Sequence, residues 1–186
     1  MKLESTNLDG VFLLQRRIHQ DERGTFTRLF ADDELAAIGN PTKAIHINTS
    51  TSVSAGTLRG IHFQYPPYSE TKVVSCVSGA IWDVAVDLRP NSETRFQWFG
   101  KTLTPENGTS LIIPEGFGHA FITLEPNSIV VYIVSAPYAI EYESGARFDD
   151  PIIGINWPLE PVVMSEKDQT WEFLVNRIDE LDRKFL

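Results

Sequence analysis

The 186-residue chain has a single cysteine, Cys76. One cysteine cannot close an internal disulfide, which fits a reducing cytoplasm. Long apolar runs are missing. The longest lies near Ile129–Val134, far short of the roughly 20 residues that span a bilayer. The opening MKLESTNLDG lacks the apolar segment of a secretory signal. Positive charge is scarce: 16 Lys and Arg stand against 25 Asp and Glu, a net charge of −9. That balance argues against nucleic acid or an anionic membrane as partner, since both require a basic face. A small anionic ligand is not excluded, because it needs only a local cluster of arginines. No Gly-rich dinucleotide fingerprint and no Walker loop is present, so no redox cofactor is signalled. Low-complexity segments, charge blocks and repeats are absent as well.

What is present is ordinary globular material. Hydrophobic residues make up 42% and charged ones 22%, which argues against disorder. A chain of this size buries roughly 70% of its unfolded surface and needs no staples. The expectation is one domain over 1–186, with a barrel core at about 44–158 and a C-terminal helix at about 166–184.

The middle of the chain reads as strand. Val73–Val77 is rich in β-branched residues and ends at the turn signal Ser78-Gly79. Ala80–Arg89 follows, with Trp82, Val84, Val86 and Leu88 on one face and Ile81, Asp83, Ala85, Asp87 and Arg89 on the other. Phe96–Leu103, Thr109–Ile113, Phe117–Leu124 and Ile129–Ser135 continue the pattern, broken at Pro90-Asn91, Asn107-Gly108, Pro114-Glu115-Gly116 and Pro126-Asn127. Many short strands at this spacing predict a mainly β fold, an antiparallel jelly-roll barrel whose mouth takes a small ligand. Helices are expected at the margins. Asp32–Ile38 is followed by the stop signals Gly39 and Pro41. Trp171, Leu174, Ile178, Leu181 and Phe185 form an apolar stripe, with Ser165 or Asp168 as its cap.

Chemistry concentrates in Thr57–Gln64. A strand there places His62 on one face with Leu58, Gly60 and Gln64, and Arg59 on the other with Thr57, Ile61 and Phe63. His62 on a barrel strand is a base, a metal ligand or a satisfied core residue. An Arg in such a run has an anionic partner. Either Gly60 sits at a bulge that resets the register, or Arg59 serves another site, such as one across a dimer interface. His119 follows a Gly-rich turn. Tyr132 sits in an apolar run, where a core aromatic is the plainer reading. Asp83 and Asp87 lie within a strand; one of them faces a polar pocket, or Asp87 pairs at the surface with Arg89.

These segments resemble the dTDP-4-dehydrorhamnose 3,5-epimerase family, the cofactor-free sugar-nucleotide epimerases. The matching pieces run in order through the chain: Asp-Glu-Arg-Gly at 21–24, Ile-Asn-Thr-Ser at 47–50 and Thr-Leu-Arg-Gly-Ile-His-Phe-Gln at 57–64. Asp-Val-Ala-Val-Asp-Leu-Arg at 83–89, Ile-Pro-Glu-Gly-Phe-Gly-His-Ala-Phe at 113–121 and Phe-Asp-Asp-Pro at 148–151 come next. Ile-Asn-Trp-Pro at 155–158 and Ser-Glu-Lys-Asp at 165–168 complete the set. The resemblance implies a cupin-type jelly roll, a homodimer, no metal and no cofactor. It implies His62 as the base, Asp168 as its partner, Tyr132 as the acid and Lys72 beside the keto group. It further implies substrate contacts at Arg23, Asn48, Arg59, His119, Glu143 and Lys167, with Tyr138 stacking on the nucleotide base.

The residue types suit that reaction. A ketone at C4 of a nucleotide-linked 4-keto-6-deoxy sugar acidifies the hydrogens on C3 and C5, because the carbanion delocalises as an enolate. Epimerisation needs a base on one face and a proton donor on the other. Histidine ordinarily titrates near neutrality and tyrosine near pH 10, so at neutral pH one accepts and the other delivers. A carboxylate fixes the histidine tautomer, and an ammonium stabilises the enolate oxygen. Arginines match the diphosphate.

Two positions depart from the family pattern: Arg28 stands where relatives carry Glu, and His46 where they carry Gln. Both are expected to line the substrate site. They leave open the nucleotide (dTDP or CDP) and whether C3, C5 or both are epimerised. A 3,4-ketoisomerase on a similar barrel and a non-catalytic binding module are alternative readings. A metal-dependent cupin oxygenase using His62, Gln64 and His119 is a further rival with poorer ligand spacing.

Overall fold

The computed structural model describes residues 1–37, 39–40 and 42–186. In chain order its strands are β1 (Lys2–Ser5), β2 (Phe12–Gln15), β3 (Ile18–Asp21), β4 (Gly24–Thr27), β5 (His46–Ser52), β6 (Leu58–Gln64) and β7 (Lys72–Ser78). They continue as β8 (Ile81–Asp87), β9 (Trp98–Leu103), β10 (Thr109–Ile113), β11 (Phe117–Thr123), β12 (Ser128–Val134) and β13 (Glu143–Gly145). A six-stranded sheet runs β1-β2-β10-β7-β12-β5 and faces a five-stranded sheet, β13-β6-β11-β8-β9. Every strand pair in the two sheets is antiparallel. The fold is therefore the mainly β, antiparallel jelly roll that the short-strand pattern predicts, of the cupin type that the resemblance implies.

Three apolar layers explain why the strands look as they do. Val74, Cys76, Leu111 and Val130 of the first sheet meet Ile81, Ala85, Phe117 and Phe121 of the second inside the barrel. Outside the second sheet, Val84, Val86, Ile61 and Phe63 are covered by Leu174, Leu181 and Phe185. Outside the first sheet, Leu14, Val73, Ile112 and Ile133 are covered by Leu35 of helix α1 (Asp32–Ala37). A central strand such as β8 is thus buried on both faces, and its two acids, Asp83 and Asp87, are fully buried. Asp87 does pair with Arg89: its carboxylate is buried while the guanidinium stays about one-third exposed.

Three expectations need correction. The sheet does not begin near residue 44: β1 and β2 are part of it. Each is four residues long, too short to show a period. Phe96 lies outside β9, in a turn with positive φ. The C-terminal segment is not one helix from 166 to 184. It divides into α2 (Glu166–Thr170), a 3₁₀ turn (Leu174–Asn176) and α3 (Ile178–Phe185). The break is tertiary in origin. Trp171 and Phe173 take extended backbone (ψ 140° and 137°), and the Leu174 amide donates to the buried Asp150 carboxylate at 2.7 Å. The apolar stripe still docks as its spacing requires. Ser165, not Asp168, caps α2: its hydroxyl accepts from the Asp168 amide at 3.1 Å. The helix end expected at Ile38 and the stop at Pro41 lie outside the described residues. Among the described residues no helix is long and apolar enough to cross a membrane.

Candidate active site

One end of the barrel interior is apolar; the other is a cavity of about 430 Å³ that adjoins a second of about 370 Å³. His62, Lys72 and Tyr132 line both. Arg59, His119, Lys167 and Asp168 belong to the first, and His46, Asn48, Tyr138 and Glu143 to the second.

Gly60 reconciles Arg59 with His62. Its φ is +114°, and the β6–β11 ladder shifts register just opposite, between His119 and Phe121. The bulge turns Arg59 into the cavity that strict alternation would deny it. A side chain at residue 60 would collide with β11, since a Cβ there meets the His119 carbonyl at 2.6 Å. The Gly60 amide donates to Asp168 Oδ2 at 3.2 Å.

His62 and Asp168 form a pair, Nε2 to Oδ1, at 2.6 Å. Asp168 is buried while His62 stays one-third exposed to the cavity. Burial alone would push the Asp168 carboxyl up. Hydrogen bonds and charge from His62, with the Gly60 amide and Ser165, outweigh it and hold the group below the usual carboxylate range. His62 opposes His119 directly in the ladder, and His119 has its own acid: Nε2 lies 2.8 Å from Asp83 Oδ1. Burial pushes Asp83 up, opposed by His119 and Lys72.

Tyr132 and Lys72 come from the facing sheet. Tyr132 is half-buried rather than a core aromatic; burial first, then the charge of Glu70, push its phenol above the ordinary range, with Arg59 opposing. The Lys72 ammonium lies 3.1 Å from Glu70. Glu143 accepts from the Tyr138 hydroxyl at 2.9 Å and pairs with Lys167 at 2.5 Å. Burial raises the Glu143 carboxyl, but Lys167 and Tyr138 outweigh that and keep it low. Arg59 donates to the Thr51 carbonyl at 3.3 Å.

Two expected residues lie elsewhere. Arg23 caps the exposed β3–β4 hairpin and pairs with Asp21 at 2.6 Å. Arg28 pairs with Glu34 beside α1. Neither lines the cavity. Conversely, Glu70 lines it with no sequence signal pointing to it, and Asp83, one of the two acids expected to face a polar pocket, underlies it through His119. For Asp83 the available signal was an acid within an apolar strand. Each member of the rival metal-ligand set already has a protein partner. The Nε2 atoms of His62 and His119 face carboxylates, and the Gln64 carboxamide holds the backbone at Tyr68, Pro137 and Ala139.

The family model for dTDP-4-dehydrorhamnose 3,5-epimerase matches residues 5–176. The chain belongs to this family. It is 43% identical over 170 residues to the epimerase of Methanothermobacter thermautotrophicus, covering 90% of this chain and 91% of that one. It is 40% identical over 171 residues to the epimerase of Sinorhizobium fredii, covering 91% and 88%. The crystal structure of the Bacillus anthracis epimerase with TDP and pyrophosphate bound superposes with a TM-score of 0.89 at 38% identity, covering 92% and 98%. A 3'-monoepimerase from Streptomyces bikiniensis, in complex with dTDP-quinovose, gives 0.85 at 29% identity, covering 97% and 98%. The chain is thus an enzyme of the epimerase class, on the fold its relatives share.

Proposed function

We propose that this epimerase inverts C3 and C5 of a dTDP-linked 4-keto-6-deoxy sugar, with the residues of the shared cavity as its machinery. One observation carries the reading. His62 on one sheet, paired with Asp168 of α2, and Tyr132 on the other sheet face a single cavity, with Lys72 beside them. His62 removes the proton next to the ketone. Asp168 fixes the ring through Nε2 and balances the imidazolium that forms. Lys72 donates to the oxygen on which the enolate charge develops. Tyr132, kept protonated, returns a proton from the opposite wall. Arg59, His119 and Lys167 serve the diphosphate, and Tyr138 stacks on the base. His46 and Asn48 line the Tyr138 end of the cavity and take the remaining substrate contacts.

Arg23 and Arg28 fit this reading through a homodimer. The β3–β4 hairpin stands off both sheets with Phe26 66% exposed, which suits a segment that docks on a second copy and brings its arginines there. Sedimentation should then give twice the chain mass. The free, buried Cys76 suits a reducing cytoplasm.

Incubation with dTDP-4-keto-6-deoxyglucose in D₂O tests the activity. Deuterium at both C3 and C5 is the expected result. Label at one carbon makes the chain a mono-epimerase, and label at neither overturns the assignment for that substrate.

A further inference from the structure

Glu70 is a carboxylate in the reaction cavity to which neither the sequence reading nor the proposed mechanism gives a task. It precedes β7 by two residues and lines the cavity together with His62, Lys72 and Tyr132. Its Oε1 is 3.1 Å from Lys72 Nζ, and both side chains are nearly buried, 12% and 11% exposed. A nearly buried ammonium requires a countercharge, and one held two residues earlier in the chain fixes where the ammonium points. We propose that Glu70 is a positioning residue for the epimerisation: it holds the Lys72 ammonium at the developing enolate and keeps the Tyr132 phenol loaded with its proton. This rests on the assignment of Lys72 and Tyr132 above.

The ammonium has three donors. Glu70 takes one, and the others are left for the sugar oxygen. The pairing also aligns the donor before substrate arrives, which is what makes such a group effective as charge develops.

The second task follows from the charges around Tyr132. From β6 the cavity receives Arg59 and His62, from β7 Lys72, and from β11 His119. From α2 come Lys167 and Asp168. His46 and Glu143 enter from β5 and β13, beside Glu70. Asp168 is committed to His62, and Glu143 to Lys167 and Tyr138. Glu70 and Tyr132 line the same cavity; the Glu70 charge disfavours tyrosinate, and Arg59 favours it. An acid that must deliver a proton each turnover gains from a neighbour that resists its ionisation.

Glu70→Gln keeps the shape and removes the charge. Loss of a direct oxyanion donor costs about 100- to 1000-fold, so loss of the group that only aims the donor should lower kcat by about 10-fold, with KM little changed. The Tyr132 titration, read as tyrosinate absorbance of a protein minus that of its Tyr132→Phe counterpart, should move to lower pH. Glu70→Asp should restore part of both. Wild-type kcat in Glu70→Gln overturns the Lys72 task, and an unmoved titration overturns the Tyr132 task. The titration needs no substrate. If the wild-type protein fails to exchange the keto sugar at all, the assigned reaction falls, while the titration still decides whether Glu70 governs Tyr132.

Discussion

Gly60→Ala tests the geometry on which the site depends. Residue 60 has φ +114°, a region open to glycine and costly for any L side chain. The added methyl carbon would meet the His119 carbonyl at 2.6 Å, and Ala120 Cβ and Cα at 2.7 and 2.8 Å. All three belong to β11, a fully buried strand, so none of them can swing away. Adopting the positive φ costs about 1–2 kcal/mol, and forcing a methyl into a packed interior costs about 1–3 kcal/mol. At about 2–4 °C per kcal/mol for a chain of this size, the melting temperature should fall by roughly 4–20 °C. Gly24→Ala is the control. Its φ is +124°, but a Cβ there meets nothing within 4 Å, so it carries the backbone penalty alone and should cost about 1 kcal/mol. The Gly60 variant has a second consequence. Moving β6 off β11 withdraws the residue-60 amide from Asp168 and swings Arg59 and His62 relative to each other. Deuterium exchange into the keto sugar should therefore fall further than the lost stability explains. Thermal unfolding and exchange, run side by side on both variants, decide the matter. If Gly60→Ala melts with Gly24→Ala and exchanges like wild type, the bulge is not what builds the site.

Asp168→Asn keeps the size of the carboxylate but cannot fix the His62 tautomer; by analogy with the serine-protease triad, exchange should drop about 10⁴-fold. Nucleotide binding measured by calorimetry should persist, and retained exchange would exclude Asp168 as the partner of the base. Asp87 offers a stability test. Burial pushes this carboxyl up, but hydrogen bonds from Arg89, Ser92 and Thr94 hold it below the usual range. Its folded pKa thus lies below its unfolded value, so its contribution is complete above about pH 4 and is lost as pH falls towards the folded value. Asp87→Asn should cost about 3 kcal/mol at neutral pH, and the gap to wild type should narrow on acidification. A gap in melting temperature that stays constant from neutral to acid pH would refute this linkage.

The parts of the fold legible in the sequence are those where one physical signal dominates. The strands from Val73 to Val134 alternate or carry β-branched runs, and each break is a Gly, Pro or Asn turn; the ladders follow those breaks closely. β1 and β2 offered no such signal, because strands of four residues end before a pattern is complete. The C-terminal helix was overextended because its stripe is real while its continuity is not. The apolar spacing of Leu174, Leu181 and Phe185 is satisfied against the second sheet, yet Asp150 captures the Leu174 amide and breaks the run. In the site, alternation separated Arg59 from His62 and only the bulge at Gly60 rejoined them. Glu70 escaped notice because it stands between a proline loop and the first residue of a strand, where neither period applies. Arg23 and Arg28 show the converse: motif residues whose position along the chain says nothing about where their hairpin projects.

The net charge of −9 also has a different meaning once the structure is in view. Part of the acid surplus sits around the cavity, each carboxylate set against one of its cations or histidines. Asp168 faces His62, Asp83 faces His119, Glu70 faces Lys72 and Glu143 faces Lys167. Among the arginines and lysines that line the cavity, Arg59 alone has no carboxylate partner among the described residues; its contacts are a carbonyl and a hydroxyl. Neutral acceptors leave a guanidinium's charge available to a phosphate, whereas a carboxylate would have to be displaced first. The pairing within the cavity, rather than the total over the chain, sets whether an anion is admitted, and it singles out Arg59 as the group whose charge is not already answered.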